Sequence, residues 1–286
     1  MKKLTMLSAI IAISISNYSV AAGGGHGASE PTLTAEYSRG DEGYRHTGLI
    51  FGTSVGRWTL GATYHTVKES DGEPVFPSLG LQAGYEIQEG LLLEGFTFAY
   101  LEKEEQKSFA LGARLETELV EFDAFDEEAY VSLLLSPVYA DVTAIEEDSG
   151  LPVDIEHRML FTSLTLGTKY FSASVVASWS SYSRENIELE TRTDLGEMTH
   201  SAIYENNDGF PDDSIGLEVL VTPIERLSLY LGAANIDFPG LPLRRSRRIA
   251  IDYEITHELG VGISYQTLRG GEGDNNITGI ELSYMF

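Results

Sequence analysis

The sequence predicts an all-β fold, a closed antiparallel transmembrane β-barrel for which we favour fourteen strands. Three observations lead to this prediction: apolar and polar residues alternate from Thr32 to the carboxyl terminus, the strand connections alternate between short and long, and residues typical of strands and tight turns are abundant. The chain contains 29 glycines, 15 tyrosines and 12 phenylalanines, which suits strands joined by tight turns. We find no helical period longer than a turn or two over the same region.

The first residues predict export. Lys2 and Lys3 precede an apolar run that ends near Ile15, and small residues follow up to Ala22. This is the pattern of a secretory signal peptide, which we place at residues 1–22, followed by a flexible lead at 23–30. A membrane anchor helix is the less favoured alternative, because the apolar run is shorter than the roughly 20 residues that span a bilayer.

Charge and cysteine content narrow the class of protein. Lys and Arg number 19 against 44 Asp and Glu, a net charge of −25, and there is no cysteine. Nucleic acid is therefore excluded as a partner, since binding a phosphate backbone requires a basic surface. An exported chain without disulfides must be held together by packing and backbone pairing.

The alternation defines the strands. Trp58, Leu60, Ala62 and Tyr64 alternate with small or polar residues, and the same two-residue period recurs along the chain. The predicted strands are 31–38, 45–55, 57–67, 78–88, 91–101, 107–119, 129–142, 158–170, 172–184, 214–222, 227–236, 247–256, 259–268 and 276–286. Twelve strands, with two weak segments reassigned to loops, remain an alternative.

The connections distinguish a membrane barrel from a soluble sandwich, which would also alternate. Connections after even-numbered strands are mostly tight, and those after odd-numbered strands are mostly longer and acidic. This parity is typical of outer-membrane barrels, with short periplasmic turns and longer extracellular loops. The long connections are 68–77, 143–157, 185–213, 237–246 and 269–275, and the exceptions are 121–128, which is long, and 102–106, which is short.

The aromatic residues predict two belts, one at each membrane interface. One belt comprises Trp58, Tyr85, Tyr170, Tyr253, Tyr284 and Phe286 on the periplasmic side, and the other comprises Tyr37, Tyr100, Phe109, Trp179 and Tyr265 on the outer side. The fifth strand is the exception, because Glu94 shares a face with Phe96, Phe98 and Tyr100. We place that face toward lipid and Glu94 near the periplasmic interface, where a charge costs little.

The last ten residues carry a recognisable motif. Phe286 ends the chain, and Tyr284, Leu282 and Ile280 precede it at every second position. This motif resembles the carboxy-terminal signal of Gram-negative outer-membrane proteins, and the whole pattern is similar to the small porins. The resemblance implies a last barrel strand read by the barrel assembly machinery, a location in the outer membrane, and passive diffusion of small hydrophilic solutes through the barrel.

The polar phase of the strands predicts the residues that line the lumen. Acids outnumber bases among them, so we expect a mildly negative pore with a modest preference for cations. The alternative is that these charges are paired or solvated and only hold the barrel open. Small residues on the same face, such as Gly80 and Gly112, favour a channel over a packed interior. The predicted pore-lining residues are Glu86, Arg114, Glu116, Lys169, Arg184, Glu218, Arg248, Asp252, Glu254 and Glu281.

An arginine cluster opens the twelfth strand at its outer end. Arg245 and Arg247 are predicted to bind lipopolysaccharide phosphates, while Arg244 and Arg248 line the mouth. Recognition of an anionic solute and pairing with the acidic loops are the alternatives.

The sequence predicts no enzyme, no cofactor and no metal site. His157, beside Arg158 and Glu156, is the one arrangement that suggests a hydrolase, and no histidine sits in a His-x-Ser arrangement on a predicted strand. The longest loop, 185–213, carries oxygen ligands near 205–209 but lacks calcium-loop spacing. Whether this loop folds inward or lies on the surface stays open. A non-conducting structural or adhesive barrel is the second alternative.

Overall fold

The fold is a closed barrel of fourteen antiparallel strands, as the sequence predicts. The computed structural model describes residues 29–68, 75–101, 107–124, 127–145, 152–183, 195–199, 201–207, 211–238, 242–270 and 273–286. Each strand pairs with its neighbours in sequence, and the first pairs with the last. The strands are β1 Ser29–Arg39, β2 Arg45–Val55, β3 Trp58–Lys68, β4 Phe76–Gln88, β5 Leu91–Leu101, β6 Lys107–Ala124, β7 Glu127–Ile145, β8 Pro152–Gly167, β9 Phe171–Tyr182, β10 Asp213–Ile224, β11 Leu227–Asp237, β12 Arg244–Glu254, β13 Leu259–Arg269 and β14 Asn275–Met285.

The seam between β1 and β14 closes the barrel. Tyr37 lies opposite Ile280 and Leu33 opposite Tyr284 in this pairing. Just beyond β14, the N–H of Phe286 donates to the carbonyl of Pro31 at 2.9 Å. Closure matters because an open strand edge in hydrocarbon would leave each backbone group unsatisfied, at a cost of several kcal/mol. The predicted signal peptide lies outside the described residues, as does most of the predicted lead.

The alternation predicted from the sequence separates an apolar outside from a polar inside. Leu49, Leu81, Leu217 and Ile263 each expose about half of their side-chain surface on the outside of the barrel. A continuous belt of exposed apolar residues is the surface expected of a barrel that faces lipid. In the part of the chain that is described, no helix is long and apolar enough to cross a membrane.

The turns at the end where the even-numbered strands finish are tight. Gly56 and Gly90 adopt φ values of 63° and 74°, which favour glycine, in the turns after β2 and β4. The predicted long connection 121–128 is wrong, because β6 runs to Ala124 and β7 begins at Glu127. A register shift between Glu118 and Val120 interrupts the alternation of apolar and polar residues. The two-residue period therefore ends before Ala124, the last residue of β6.

The fifth strand faces the other way from the prediction. Glu94, Phe96, Phe98 and Tyr100 are all buried inside the barrel, and Glu94 lies opposite Arg114 on β6. Apolar residues occur on both faces of β5, so the two-residue period alone does not determine which face points into the barrel. The aromatic face turns inward because it joins an apolar cluster that fills part of the lumen.

The two predicted aromatic belts are present on the outside of the barrel, except for Tyr100. Trp58 at one end and Trp179 at the other are exposed on the outside by 53% and 54%. Tyr85 is half-buried and packs beside Trp58, with ring centroids 4.9 Å apart. Tyr100 is the one member whose predicted position is wrong, since it belongs to the inward face of β5.

Candidate functional site

The connection between β9 and β10 enters the barrel. Its described parts, residues 195–199 and 201–207, are here called the inward segment; they include a short helix, α1 (Leu195–Thr199), and a 3-10 turn, Ala202–Tyr204. Leu195, Met198, Ile203 and Tyr204 have no solvent exposure. The sequence left open whether this loop folds inward, and the structure places the described part in the lumen.

One side of the inward segment is apolar. Leu195, Met198, Ile203 and Tyr204 share a cluster with inward residues of β5 to β9 and β11. The ring of Tyr204 packs edge-on against Phe161, with centroids 6.2 Å apart. Burying each of these side chains stabilises the inward position of the segment by about 2 kcal/mol, so the cluster holds the segment against the barrel wall.

This cluster corrects the prediction that small inner-wall residues leave the lumen open. A Cβ placed on Gly80 would meet the ring of Phe98, and one on Gly112 would meet the ring of Phe96. Gly80 on β4 and Gly112 on β6 therefore accommodate aromatic rings from β5. On this side the interior is packed.

The other side of the inward segment is anchored by hydrogen bonds to Glu218 on β10. The carboxylate accepts from Ser201 Oγ at 2.8 Å and from the N–H of Ile203 at 3.4 Å. Tyr230 on β11 donates to the same oxygen at 2.6 Å. Bonds to a charged acceptor are worth about 1.5–3 kcal/mol each, so Glu218 is a main anchor.

Gln266 on β13 forms a second anchor. Its amide nitrogen donates to the carbonyl of Glu205 at 2.7 Å and to Ser246 Oγ at 3.0 Å. Its amide oxygen accepts from Asn206 Nδ2 at 2.8 Å. Ser246 in turn donates to the carbonyl of Ile203 at 2.8 Å.

Asn206 completes this network. Tyr44, just before β2, donates to Asn206 Oδ1 at 2.8 Å. Asn206 has a φ of 57°, a left-handed conformation that asparagine tolerates better than most residues. The backbone of the segment therefore turns at Asn206, while both the oxygen and the nitrogen of the Asn206 side-chain amide are hydrogen-bonded.

An ion pair forms the third anchor. The guanidinium of Arg248 on β12 binds the carboxylate of Glu205, and both side chains are largely buried. Burial raises the pKa of Glu205, and the guanidinium opposes that rise. Breaking one partner of a buried pair leaves an uncompensated charge, so we expect each half to depend on the other.

A small polar cavity lies beside this ion pair. Its volume is about 20 Å³, room for roughly one water molecule. The charged residues of its lining are four acids and one arginine, namely Glu36, Glu205, Asp252, Glu281 and Arg248, and His46 also lines it.

Eight of the ten predicted pore-lining residues divide into three groups. Glu218, Arg248, Asp252 and Glu281 lie on the inner wall near the inward segment or this cavity. Arg114 is 3% exposed and bonds Glu116 at 3.3 Å, so the pair belongs to the packed wall. Glu86 and Glu254 are half-buried near the ends of β4 and β12, where Glu254 bonds His257 at 3.0 Å.

Lys169 is a predicted lining residue that does not lie on a strand. Lys169 follows the end of β8 and lies in the turn before β9, with its Nζ 5.0 Å from the centroid of the Tyr170 ring. The predicted strand was too long at this end, because the alternation continues into the turn. Arg184 lies outside the described residues.

The arginine cluster points in two directions. Arg245 and Arg247 are exposed on the outside of β12, whereas on the inside Arg244 is half-buried and Arg248 has a largely buried side chain. A shallow groove of about 380 Å³ lies on the outside next to Arg245 and Arg247. Arg244 stacks on Phe238, with its guanidinium carbon 5.1 Å from the ring centroid.

The alternative sites are not assembled in the described structure. His157 is fully buried and stacks on Tyr182, while Glu156 and Arg158 are exposed and bond each other on the opposite face of β8. Among the oxygen ligands of the loop, Glu205 and Asn206 are bonded to Arg248, Tyr44 and Gln266. Asp208 and Gly209 lie outside the described residues.

Sequence reasoning missed the anchors Gln266, Ser246 and Tyr44. Gln266 and Ser246 occupy the inner phase of their strands, but nothing in the period distinguishes a polar residue that binds a loop from one that faces water. The contact partners lie 40 or more residues away in the chain. A cluster of polar residues on β10, β12 and β13 beside a long loop was the only available signal.

Comparisons with known proteins find the fold but no close relative. No family model matches the chain, and no curated protein matches it. Among solved structures, a BenF-like porin from Pseudomonas fluorescens Pf-5 has a TM-score of 0.51 at 12% identity, over 91% of this chain and 98% of that one. The chain has the barrel fold of porins.

Two further structures give the same result. OccAB1 from Acinetobacter baumannii has a TM-score of 0.50 at 9% identity, over 91% of this chain and 97% of that chain. The CymD monoaromatic hydrocarbon channel has a TM-score of 0.50 at 12% identity, over 97% of each chain. At these identities the likeness establishes the fold alone.

Proposed function

We propose that the protein is an outer-membrane channel for passive diffusion of small hydrophilic solutes or ions, narrowed by the inward segment. The observation that carries the proposal is the asymmetry of the lumen. One side of the inward segment is packed against apolar residues, and the other is hydrogen-bonded to polar residues of the wall, beside the acids Glu36, Asp252 and Glu281. Solutes would pass along the polar wall formed by β1 and β12 to β14. The fold shared with porins supports the same function.

The test of this function is conductance. The protein, purified and reconstituted in a planar bilayer, should give ohmic single-channel steps. A non-conducting structural or adhesive barrel is the second candidate. The inward segment favours this candidate because the segment fills part of the lumen. Silence in the bilayer, together with the folded state in detergent, would support that candidate. Hydrolysis of phospholipid by the purified protein would instead indicate an enzyme.

Cation preference is the finer part of the proposal. Asp252 and Glu281 lie on the polar wall, and removing their charges should lower the cation-to-anion permeability ratio. A charge about 7 Å from a passing ion in water is worth about 0.6 kcal/mol, so we expect roughly a three-fold change for each charge removed. Asp252→Asn and Glu281→Gln are the variants, and reversal potential in a salt gradient is the measurement. Glu258→Gln, in the exposed turn after β12, is the control and should leave the ratio unchanged; equal reversal potentials in all variants would exclude this wall as the path.

Lipopolysaccharide is the proposed partner at the outer rim. The outward side chains of Arg245 and Arg247 stand beside a groove whose lining includes Val175, Ile215 and Leu217. Guanidinium groups above an apolar groove match a phosphate attached to acyl chains. The surrounding lipid would contact the rest of the belt.

The carboxy-terminal strand is the proposed assembly signal. Ile280, Leu282, Tyr284 and Phe286 all face outward, and Phe286 packs edge-on against Tyr284 with centroids 4.9 Å apart. Deletion of Phe286 should remove most of the folded protein from the outer membrane, because the assembly machinery would no longer bind the last strand. Heat-modifiable migration of outer-membrane fractions on gels measures this loss. Phe286→Tyr keeps an aromatic ring and should assemble normally; normal assembly of the deletion would contradict the assignment.

A further inference from the structure

Three potential metal ligands meet on the inner face of β1, β2 and β3. Glu36 Oε1 lies 3.7 Å from His46 Nε2 and 3.4 Å from His65 Nε2. The ligand atoms of the three residues all lie within 4.8 Å of one another. His65 is fully buried, and the Glu36 side chain retains only 11% of its exposure.

The strand register builds this cluster. Glu36 lies opposite Gly48, and Gly48 lies opposite His65, so the three residues form one row across three strands. His46 precedes Gly48 by two residues and therefore points to the same side of β2. A Cβ on Gly48 would collide with both Glu36 and His65, so these side chains approach each other over the space that the glycine leaves.

The spacing suits a tetrahedral metal site. With metal–ligand bonds of about 2.0–2.1 Å, two ligands at a tetrahedral angle lie about 3.4 Å apart. The two carboxylate–imidazole distances are at or slightly above that value, and the ligand nitrogens of the two histidines lie within 4.8 Å of each other, so the side chains would draw closer together around a bound ion. Two imidazoles and one carboxylate form a donor set typical of Zn²⁺ and related divalent ions, with positions left for water.

The surroundings favour a cation. Glu36 and His46 line the small polar cavity together with Glu205, Asp252 and Glu281. The charge balance of that lining is negative even with Arg248 included. A divalent ion from the lumen would therefore meet a negative potential before it reached the imidazoles.

We propose that Glu36, His46 and His65 bind one divalent transition-metal ion, with Zn²⁺ as the model ion. The ion would join β1, β2 and β3 directly beside the β1–β14 seam that closes the barrel. The proposal does not depend on channel activity, because its ligands are defined by register and distance alone. The site is not apparent in the sequence, since the two histidines lie 19 positions apart and Gly48 on β2 resembles any other inner-wall glycine.

Metal titration of the full chain folded in detergent tests the proposal. Zn²⁺ alone should bind with a stoichiometry near one by calorimetry and should raise the thermal unfolding temperature. Co²⁺ should give the intense visible absorption of a tetrahedral site. His65→Ala and Glu36→Gln should each weaken binding by roughly 100-fold or more, and Gly48→Ala should weaken it by displacing both ligands.

His257→Ala is the matched control, because His257 also bonds a glutamate but is exposed and has no second histidine beside it in the described structure. Binding in this variant should equal that of the unmodified protein. Gel mobility without heating shows whether each variant is folded, and Glu36→Gln preserves the size of the side chain if His65→Ala does not fold. Absence of saturable binding, or equal binding in folded Glu36→Gln, would show that the cluster is only a hydrogen-bonded network and would overturn the proposal.

Discussion

Removing the inward segment is expected to raise the single-channel conductance several-fold. The change replaces residues 195–207 with a short Gly-Ser linker, which takes the buried side chains of Leu195, Met198, Ile203 and Tyr204 out of the lumen. The barrel itself should persist, because all fourteen strand pairings are independent of the segment. A wider aqueous path conducts more ions, and larger solutes should pass as well. Planar-bilayer recording and liposome swelling measure the two effects.

Smaller changes test the same account without a deletion. Ser246→Ala and Gln266→Ala each remove a bond to the segment, so both should increase current noise and give intermediate conductance. Ser228→Ala makes the same chemical change at another buried position of the inner wall and is the matched control. Unchanged conductance after the deletion would contradict the account, because it would mean that the segment does not obstruct the path.

A charge in the middle of the lipid-facing belt is expected to cost about 2–4 kcal/mol of folding free energy. Leu217 lies near the centre of β10 and is 51% exposed on the outside, so Leu217→Arg places a guanidinium in hydrocarbon. Urea unfolding in lipid vesicles gives the change in free energy. A loss of this size is a large fraction of the 5–15 kcal/mol that stabilises a typical folded protein.

Asn235→Arg is the control for this prediction. Asn235 lies on the same outer face near the end of β11, opposite Arg245, where an arginine can reach the interface and should cost about 0–1 kcal/mol. If both variants lost the same stability, the outer face of β10 would not be immersed in lipid.

The fold was predictable because two of its determinants are local in sequence. The two-residue period and the parity of the connections do not depend on distant contacts, and they predicted the closed fourteen-strand barrel. The errors arose where this local signal fails. A register shift after Glu118 interrupts the alternation before β6 ends, so the sequence predicts too short a strand there. Apolar residues on both faces of β5 leave the orientation of that strand undetermined.

The candidate site was predictable only in part. Glu218, Arg248, Asp252 and Glu281 were assigned to the lumen because the phase of a strand determines the face of each residue. That Glu218 and Arg248 bind the inward segment could not be predicted, since it depends on how a long loop folds. The apolar residues that draw the segment inward, such as Ile203 and Tyr204, lie in a stretch without strand or long-helix periodicity.

Cross-linking gives the most direct test of the central claim, that residues 195–207 lie inside the barrel. The chain has no cysteine, so pairs can be introduced without background. Asn206 and Gln266 bond each other at 2.8 Å, and a short bifunctional thiol reagent would span the gap left by the smaller cysteines in Asn206→Cys with Gln266→Cys. Asn206→Cys with Tyr265→Cys is the control, because Tyr265 is the next residue and points outside the barrel. We predict efficient cross-linking in folded protein for the first pair and little for the second; no cross-link in the first pair, or equal yields in both, would contradict the inward position of the segment.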